Sequence, residues 1–300
     1  MRKRIKPIVV YVVLALLGLA LVIANIHNTS KQQAHLQNVK SAIPYATTPK
    51  TTTSSTSSSS DEELILNPII DLSGWQLPQD IDYDVLSNHI SGAIVRVFGG
   101  SQISKDSNAA SSNGVDKSFK THIKELKKRD VPVAVYSYAQ GTSVKEMKEE
   151  ARIFYKNASP YKPTYYWIDV EEETMSNMEQ GVQAFLAELK RLGAENVGLY
   201  IGAYFMLEQE VSTKNFDAVW IPAYGTDSGY YEALPNTEID YDLHQYTSQG
   251  NLPGFDNILD LNQINPDKNK RKTFEKLFGK IKQKPTKNKK TTSTSSSSSQ

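Results

Sequence analysis

Between residues 64 and 264 short apolar runs of β character alternate with stretches of helical periodicity. A strand that returns parallel to its neighbour needs a crossover long enough to hold a helix, so this alternation favours a parallel sheet covered by helices. Strands are expected over 68–73, 92–98, 132–139, 164–171, 196–202, 217–224, 241–247 and 258–264, and helices over 115–128, 144–156 and 177–192, with shorter ones near 83–90 and 204–211. In 115–128 Phe119, Ile123 and Leu126 recur at helical spacing while the lysines take the other side. No good helix follows Asp217. The expectation is an α/β, TIM-like barrel of eight strands with fewer helices in its C-terminal part.

The end of the fourth run carries the chemistry. In Thr164-Tyr165-Tyr166-Trp167-Ile168-Asp169-Val170-Glu171, alternation puts Asp169 and Glu171 on one face with Tyr165 and Trp167. Two acids against an indole cannot both ionise freely, so one is expected to keep its proton near neutral pH, with Asp169 raising the pKa of Glu171. A protonated carboxyl beside an ionised one is suited to cutting a glycosidic bond. Taken alone, the run Asp169 to Glu173 is equally suited to a helix N-terminus. Other runs also end in polar or aromatic residues: Ile69-Ile70 leads to Asp71, Val133-Ala134-Val135 to Tyr136 and Tyr138, and Val219-Trp220 to Tyr224. In a parallel barrel all those ends open on one face, where such folds assemble their sites.

The flanks differ in kind. Arg2, Lys3, Arg4 and Lys6 precede a charge-free stretch from Pro7 to Ile26. About 20 apolar residues span a bilayer, and the basic start would hold the N-terminus in the cytoplasm. Residues 1–28 are therefore expected to be a single transmembrane signal anchor that places the remainder outside the cell. Cleavage near Val22-Ile23-Ala24, giving a secreted protein, is the alternative. Residues 29–63 form a Ser/Thr-rich linker, 64–265 the barrel, and 266–300 a basic Lys/Ser-rich tail expected to be disordered. The net charge of +1 hides that tail, whose candidate partners are anionic wall polymers or lipid headgroups; no nucleic-acid partner is expected. With no cysteine and no histidine pair at ligand spacing among His89, His122 and His244, neither a disulfide nor a metal or other cofactor is expected.

The motifs over residues 68–263, in order, resemble those of the family 25 glycoside hydrolases, the muramidase lysozymes. Asp71-Leu72-Ser73-Gly74-Trp75-Gln76 resembles the opening Asp-x-Ser-x-aromatic-Gln, and Asp169-Val170-Glu171 the central Asp-x-Glu. Trp220-Ile221-Pro222-Ala223-Tyr224 is similar to the sixth-strand region, and Gln245-Tyr246-Thr247-Ser248, Pro253-Gly254 and Asp260-Leu261-Asn262 to the closing signature. The chain departs from the pattern at Arg96-Val97-Phe98-Gly99-Gly100, where a Lys and an acid-Gly pair are common, at Tyr136-Ser137-Tyr138 and at His244.

The resemblance implies hydrolysis of the β-1,4 bond after N-acetylmuramic acid in peptidoglycan. Glu171 would be the general acid. By analogy Asp169 would steady the charge formed when the substrate's N-acetyl oxygen attacks; a carboxylate nucleophile or a direct water attack are the alternatives. Asp71 and Asp260 complete the catalytic set, with Asp256 the alternative to Asp260. Trp75, Arg96, Tyr136, Tyr138, Trp220, Tyr224 and Gln245 are the expected substrate contacts. A non-catalytic glycan-binding protein on the same barrel is the rival reading, and an adhesin whose basic tail is the working part is a third.

Overall fold

The computed structural model describes residues 64–100 and 106–280. The expected anchor and linker lie outside them; among the described residues no helix is long and apolar enough to cross a membrane. Eight strands close into a barrel in chain order: β1 Ile69–Leu72, β2 Gly92–Gly99, β3 Val133–Tyr138, β4 Tyr166–Val170, β5 Val197–Ile201, β6 Ala218–Pro222, β7 Leu243–Leu252 and β8 Phe255–Ile264. Around them lie α1 Tyr83–Leu86, α2 Phe119–Lys128, α3 Val144–Ala158, α4 Met178–Leu192, α5 Ala203–Glu208 and α6 Lys270–Phe278.

Neighbours from β1 to β7 pair in parallel, but β8 is antiparallel to both β7 and β1. This corrects the expectation of a wholly parallel barrel. Pro253-Gly254 leaves only a tight turn between β7 and β8, and a tight turn can join only antiparallel strands. Gly254 takes φ +98° there, and a Cβ would sit 2.6 Å from the backbone nitrogen of Leu86. Register shifts along β7 let this hairpin run longer than either predicted strand.

Helix α2 begins later than its periodicity suggests, because Val115 bridges to Phe98 and the Asp116 carboxylate accepts the Ser118 and Phe119 amides. Its predicted apolar face, Phe119, Ile123 and Leu126, is buried as expected. Helices α3 and α4 are capped by Ser143 and Asn177 and bury Met147, Ala151 and Phe154 and Val182, Phe185 and Leu189 against the barrel wall. Each such buried side chain contributes about 1.5–3 kcal/mol. The run from 223 to 242 between β6 and β7 contains no helix, as the sequence suggested.

A separate apolar cluster fills the barrel interior. Ile69, Ile94, Ala134, Trp167, Ala218, Trp220, Leu243 and Ile264 pack together, joined from below by Phe274, Leu277 and Phe278 of α6. The segment expected to be a disordered tail from 266 therefore begins with a helix that plugs the barrel. Lysines at 270, 272 and 276 mask its apolar spacing, since they face outward while Phe274, Leu277 and Phe278 repeat at i, i+3, i+4. On the neighbouring strand β5, Gly198 stands in register with Trp167 and makes room for its indole: a Cβ would stand 2.3 Å from the ring.

Candidate active site

Side chains that alternate inward become polar toward the C-terminal ends of β1 to β7 and, in the antiparallel β8, toward its N-terminal end. There they line a cleft of about 360 Å³ to which every strand contributes: Asp71, Arg96, Tyr136 and Tyr138, Asp169, Tyr200, Trp220, Gln245 and Asp260. Glu171 follows directly after β4, Trp75 after β1 and Tyr224 after β6, and all three line the same cleft. The structure thus brings together every site residue expected from sequence. Asp256 is exposed and lies outside the cleft, whereas Asp260 pairs in register with Asp71, so Asp260 is the fourth carboxylate.

The acids form two hydrogen-bonded pairs. Asp169, only 5% exposed, is linked to Glu171, which stands exposed at the mouth. Burial, then the charge of Glu171, raises the Asp169 pKa well above the ordinary carboxylate range. Burial also raises Glu171, but the hydrogen bond from Asp169 pulls it back down. Both acids are thus raised, as the spacing suggests, but burial rather than the neighbouring charge is the first cause in each, because water cannot stabilise either as a free anion.

The second pair sits across the cleft. Asp71 accepts from Gln245 Nε2 and Asn262 Nδ2, each at 2.8 Å, and pairs with Asp260. Burial raises Asp71 to about 6 despite these donors. Burial and the charge of Asp71 push Asp260 up to about 9. Gln245 is itself held, its Oε1 accepting from Tyr200 OH at 2.7 Å and Tyr224 OH at 2.6 Å. An amide whose oxygen is fixed by two hydroxyls must turn its NH₂ toward Asp71.

The aromatic residues divide in two. Trp220 is buried, edge-on to Trp167 at 5.6 Å and to Tyr200 at 4.5 Å, and forms floor rather than an open platform. Trp75 is 57% exposed on the rim. Tyr138 donates to Glu172 at 2.8 Å. His122 is buried on α2, within 2.7 Å of Tyr83 OH and 3.2 Å of the Ser73 carbonyl, so it supports the loop after Asp71. His244 bonds the Ala223 carbonyl. Among the described residues no group of three His, Asp or Glu side chains is arranged to hold a metal ion.

Three contributors were missed from sequence. Tyr200 obeys the same strand-end rule as its neighbours and was findable. Asn262 was noted only as part of a motif. Asp116 gives no local signal, since its importance comes from folding a loop back on β2.

The Glycosyl hydrolases family 25 model matches residues 70–255. Among solved structures, the chain is similar to the virulence factor GHIP, a glycosyl hydrolase 25 of Streptococcus pneumoniae, with 58% identity over 72% of this chain and 94% of that one and a TM-score of 0.70. It is similar to the catalytic domain of endolysin ply40 from bacteriophage P40 of Listeria monocytogenes, with 26% identity over 72% and 98% of the two chains and a TM-score of 0.60. The bacterial lysozyme of Streptomyces coelicolor shares the fold, at 15% identity over 73% and 100% and a TM-score of 0.55. A comparison with curated proteins gives no match. The family match spans most of the barrel that gathers these four carboxyls, and the chain belongs to glycosyl hydrolase family 25.

Proposed function

We propose that this domain hydrolyses the β-1,4 bond between N-acetylmuramic acid and N-acetylglucosamine in bacterial peptidoglycan. The observation that carries the reading is the facing of two proton-sharing carboxyl pairs, Asp169–Glu171 and Asp71–Asp260, across one cleft at the strand ends. A module that only binds glycan needs the aromatic rim but not these acids, whose burial is costly.

Glu171 stands at the mouth, where a glycosidic oxygen would arrive. A bound sugar covering Glu171 removes its water and raises its proton affinity, so Glu171 delivers the proton that the pair shares to the leaving oxygen. Asp169 is then left anionic beneath the anomeric carbon, where it steadies the developing positive charge and the attack of the N-acetyl oxygen; Glu171, now a carboxylate, takes a proton from the water that opens the resulting ring, which completes hydrolysis and returns the proton to the pair. Asp71, oriented by Gln245 and Asn262, holds a second negative charge on the opposite wall. Arg96, Tyr136, Tyr138, Trp220 and Tyr224 shape the cleft, and Trp75 offers a ring face to a sugar. The test is incubation of the protein with purified peptidoglycan: new reducing ends, with an N-acetylmuramic acid terminus, are expected, and their absence refutes the activity.

The sequence adds a setting. An anchor in residues 1–28 would hold the barrel outside the membrane beside the producer's own wall, where cleavage serves remodelling. Recovery of the native protein with a mature N-terminus near Asn25 would refute the anchor.

A further inference from the structure

Arg96 reaches the cleft wall with only 4% of its surface exposed, and a buried guanidinium requires a partner. None of its neighbours on β2 is acidic. The partner comes from the loop after β2. Asp116, 2% exposed, accepts Arg96 Nε at 3.1 Å on Oδ2, and the same oxygen accepts the Gly74 amide at 2.6 Å. Its Oδ1 takes the amides of Ser118 at 2.8 Å and Phe119 at 3.1 Å. One carboxylate therefore ties the loop after β1, strand β2 and the start of α2. The join is tight: at Gly74, which precedes Trp75, a Cβ would lie 2.2 Å from the Ala109 carbonyl oxygen. At Gly100 a Cβ would lie 2.6 Å from Arg96 Nη1, so the guanidinium is confined on that side too. Arg96 Nη2 is buried and makes no hydrogen bond within the described protein.

We propose that Asp116 is a positioning residue of this cleft: by gripping Nε it presents the Arg96 guanidinium, with Nη2 uncommitted, at the wall beside Asp169, and by holding Gly74 it sets Trp75 on the rim. The proposal rests on the hydrolytic reading of the cleft. Asp116 touches no substrate in this scheme and works through Arg96.

The charged and titratable groups acting on Asp169 are Glu171 after its own strand, Asp71 on β1, Arg96 on β2, Tyr136 and Tyr138 on β3 and Tyr200 on β5. Of these Arg96 alone favours the Asp169 anion. Removing Arg96 and removing the carboxylate that neutralises it should therefore act on the Asp169–Glu171 proton in opposite directions.

The experiment measures kcat and KM against pH for release of reducing ends from purified peptidoglycan, using the full chain. Asp116→Asn should lower kcat/KM about 10- to 100-fold, as expected when a contact is displaced without loss of the chemical groups. It should also move the basic limb to lower pH, while Arg96→Gln moves that limb to higher pH. The double variant should be no worse than the poorer single one, because both act through one contact. Additive losses, or a basic limb that stays in place in both single variants, would overturn the proposal and leave Asp116 a loop-stabilising residue. Should Asp116→Asn fail to unfold cooperatively, Arg96→Lys takes its place. Lysine keeps the charge but has no Nε to meet Asp116, so a loss of about 10-fold with an unmoved limb is expected, and parental kcat/KM would refute the proposal. An inactive parent refutes the hydrolytic reading and this proposal together, whereas an active parent with additive variants refutes the proposal alone.

Discussion

The two ends of the barrel are built from the same strands and do opposite things. Moving inward position by inward position, Ile69 gives way to Asp71, Ile94 to Arg96, Ala134 to Tyr136 and Leu243 to Gln245. Strand β4 and its flanks make the passage in one run, from Tyr165 and Trp167 to Asp169 and Glu171. The base is closed by Phe274, Leu277 and Phe278, and the mouth holds four carboxyls that burial keeps from ionising freely. The difference teaches that stability resides at one end and strain at the other. A function that needs buried acids is tolerated because an apolar plug offsets them.

The largest expected effect is at the base. A fragment ending at residue 265 loses α6, and with it three buried apolar side chains. At about 1.5–3 kcal/mol each this is on the order of 5 kcal/mol or more, which approaches the whole stability margin of an ordinary domain. The fragment 64–265 should therefore show no cooperative unfolding by circular dichroism, while 64–280 melts as one transition. Equal melting temperatures would show that the plug is dispensable.

At the mouth the expected losses are in rate. Glu171→Gln keeps the shape but cannot transfer a proton, so turnover should fall roughly 10²-fold or more with the melting temperature nearly unchanged. Wild-type release of reducing ends would remove the strand-end acids from the mechanism. Asp169→Asn should also cripple cleavage, and in the residual activity the basic limb should move to lower pH. The pair shares a proton, and an amide in place of the deeper acid removes the negative charge that would otherwise hold a proton on Glu171 at higher pH.

Smaller, and opposite in sign to every loss above, is the stability gain expected on relieving the strain. Asp260 has its pKa raised from 3.8 to about 9 by burial and by Asp71. The folded state thus binds its proton more tightly than the unfolded state, and stability falls as pH rises between those two values. Asp260→Asn can still bond Asp71 and carries no charge. Chemical denaturation should show the variant equal to the parent at acid pH and more stable above, by a few kcal/mol at alkaline pH, since each pKa unit corresponds to about 1.4 kcal/mol. Activity should fall in the same variant. A parent that is as stable as the variant at high pH would mean that the mouth stores no strain.

How much of this was legible follows the same division. The mouth could be read because most of its residues end an apolar run, so local alternation assigns their face; the choice between Asp256 and Asp260 could not, since the two are four residues apart and alternate to the same face, and only the pairing of Asp260 with Asp71 separates them. The base could not be read as well. The apolar spacing of α6 is diluted by five cations between 268 and 276, and a net-charge reading of that stretch sees only a solvated tail. The direction of β8 was legible in Pro253-Gly254 but was overridden by the βα rhythm before it. The cause of the raised pair was out of reach, because spacing shows that two acids are neighbours and only depth shows that burial comes before mutual charge. Asp116 depends on a loop returning across β2, and no period encodes that.

The weakest expected effect concerns where the chain meets its surroundings. Leu64 and Lys280, the outermost described residues, line one groove of about 660 Å³ with Pro132, Val133 and Thr164 at the starts of β3 and β4. Both flanks therefore join the domain at the base, away from the carboxyls. If the lysines at 282, 284, 287, 289 and 290 bind anionic wall polymer or lipid headgroups, removing residues 281–300 should weaken retention on isolated walls a few-fold at low salt. At high salt the difference should vanish, because charge contacts are screened beyond a few ångströms. Turnover on soluble glycan fragments should not change at either salt concentration, since the deletion touches neither the plug nor the cleft. Equal retention at low salt would remove the tail from wall binding, and altered turnover on soluble fragments would break the separation of base from mouth.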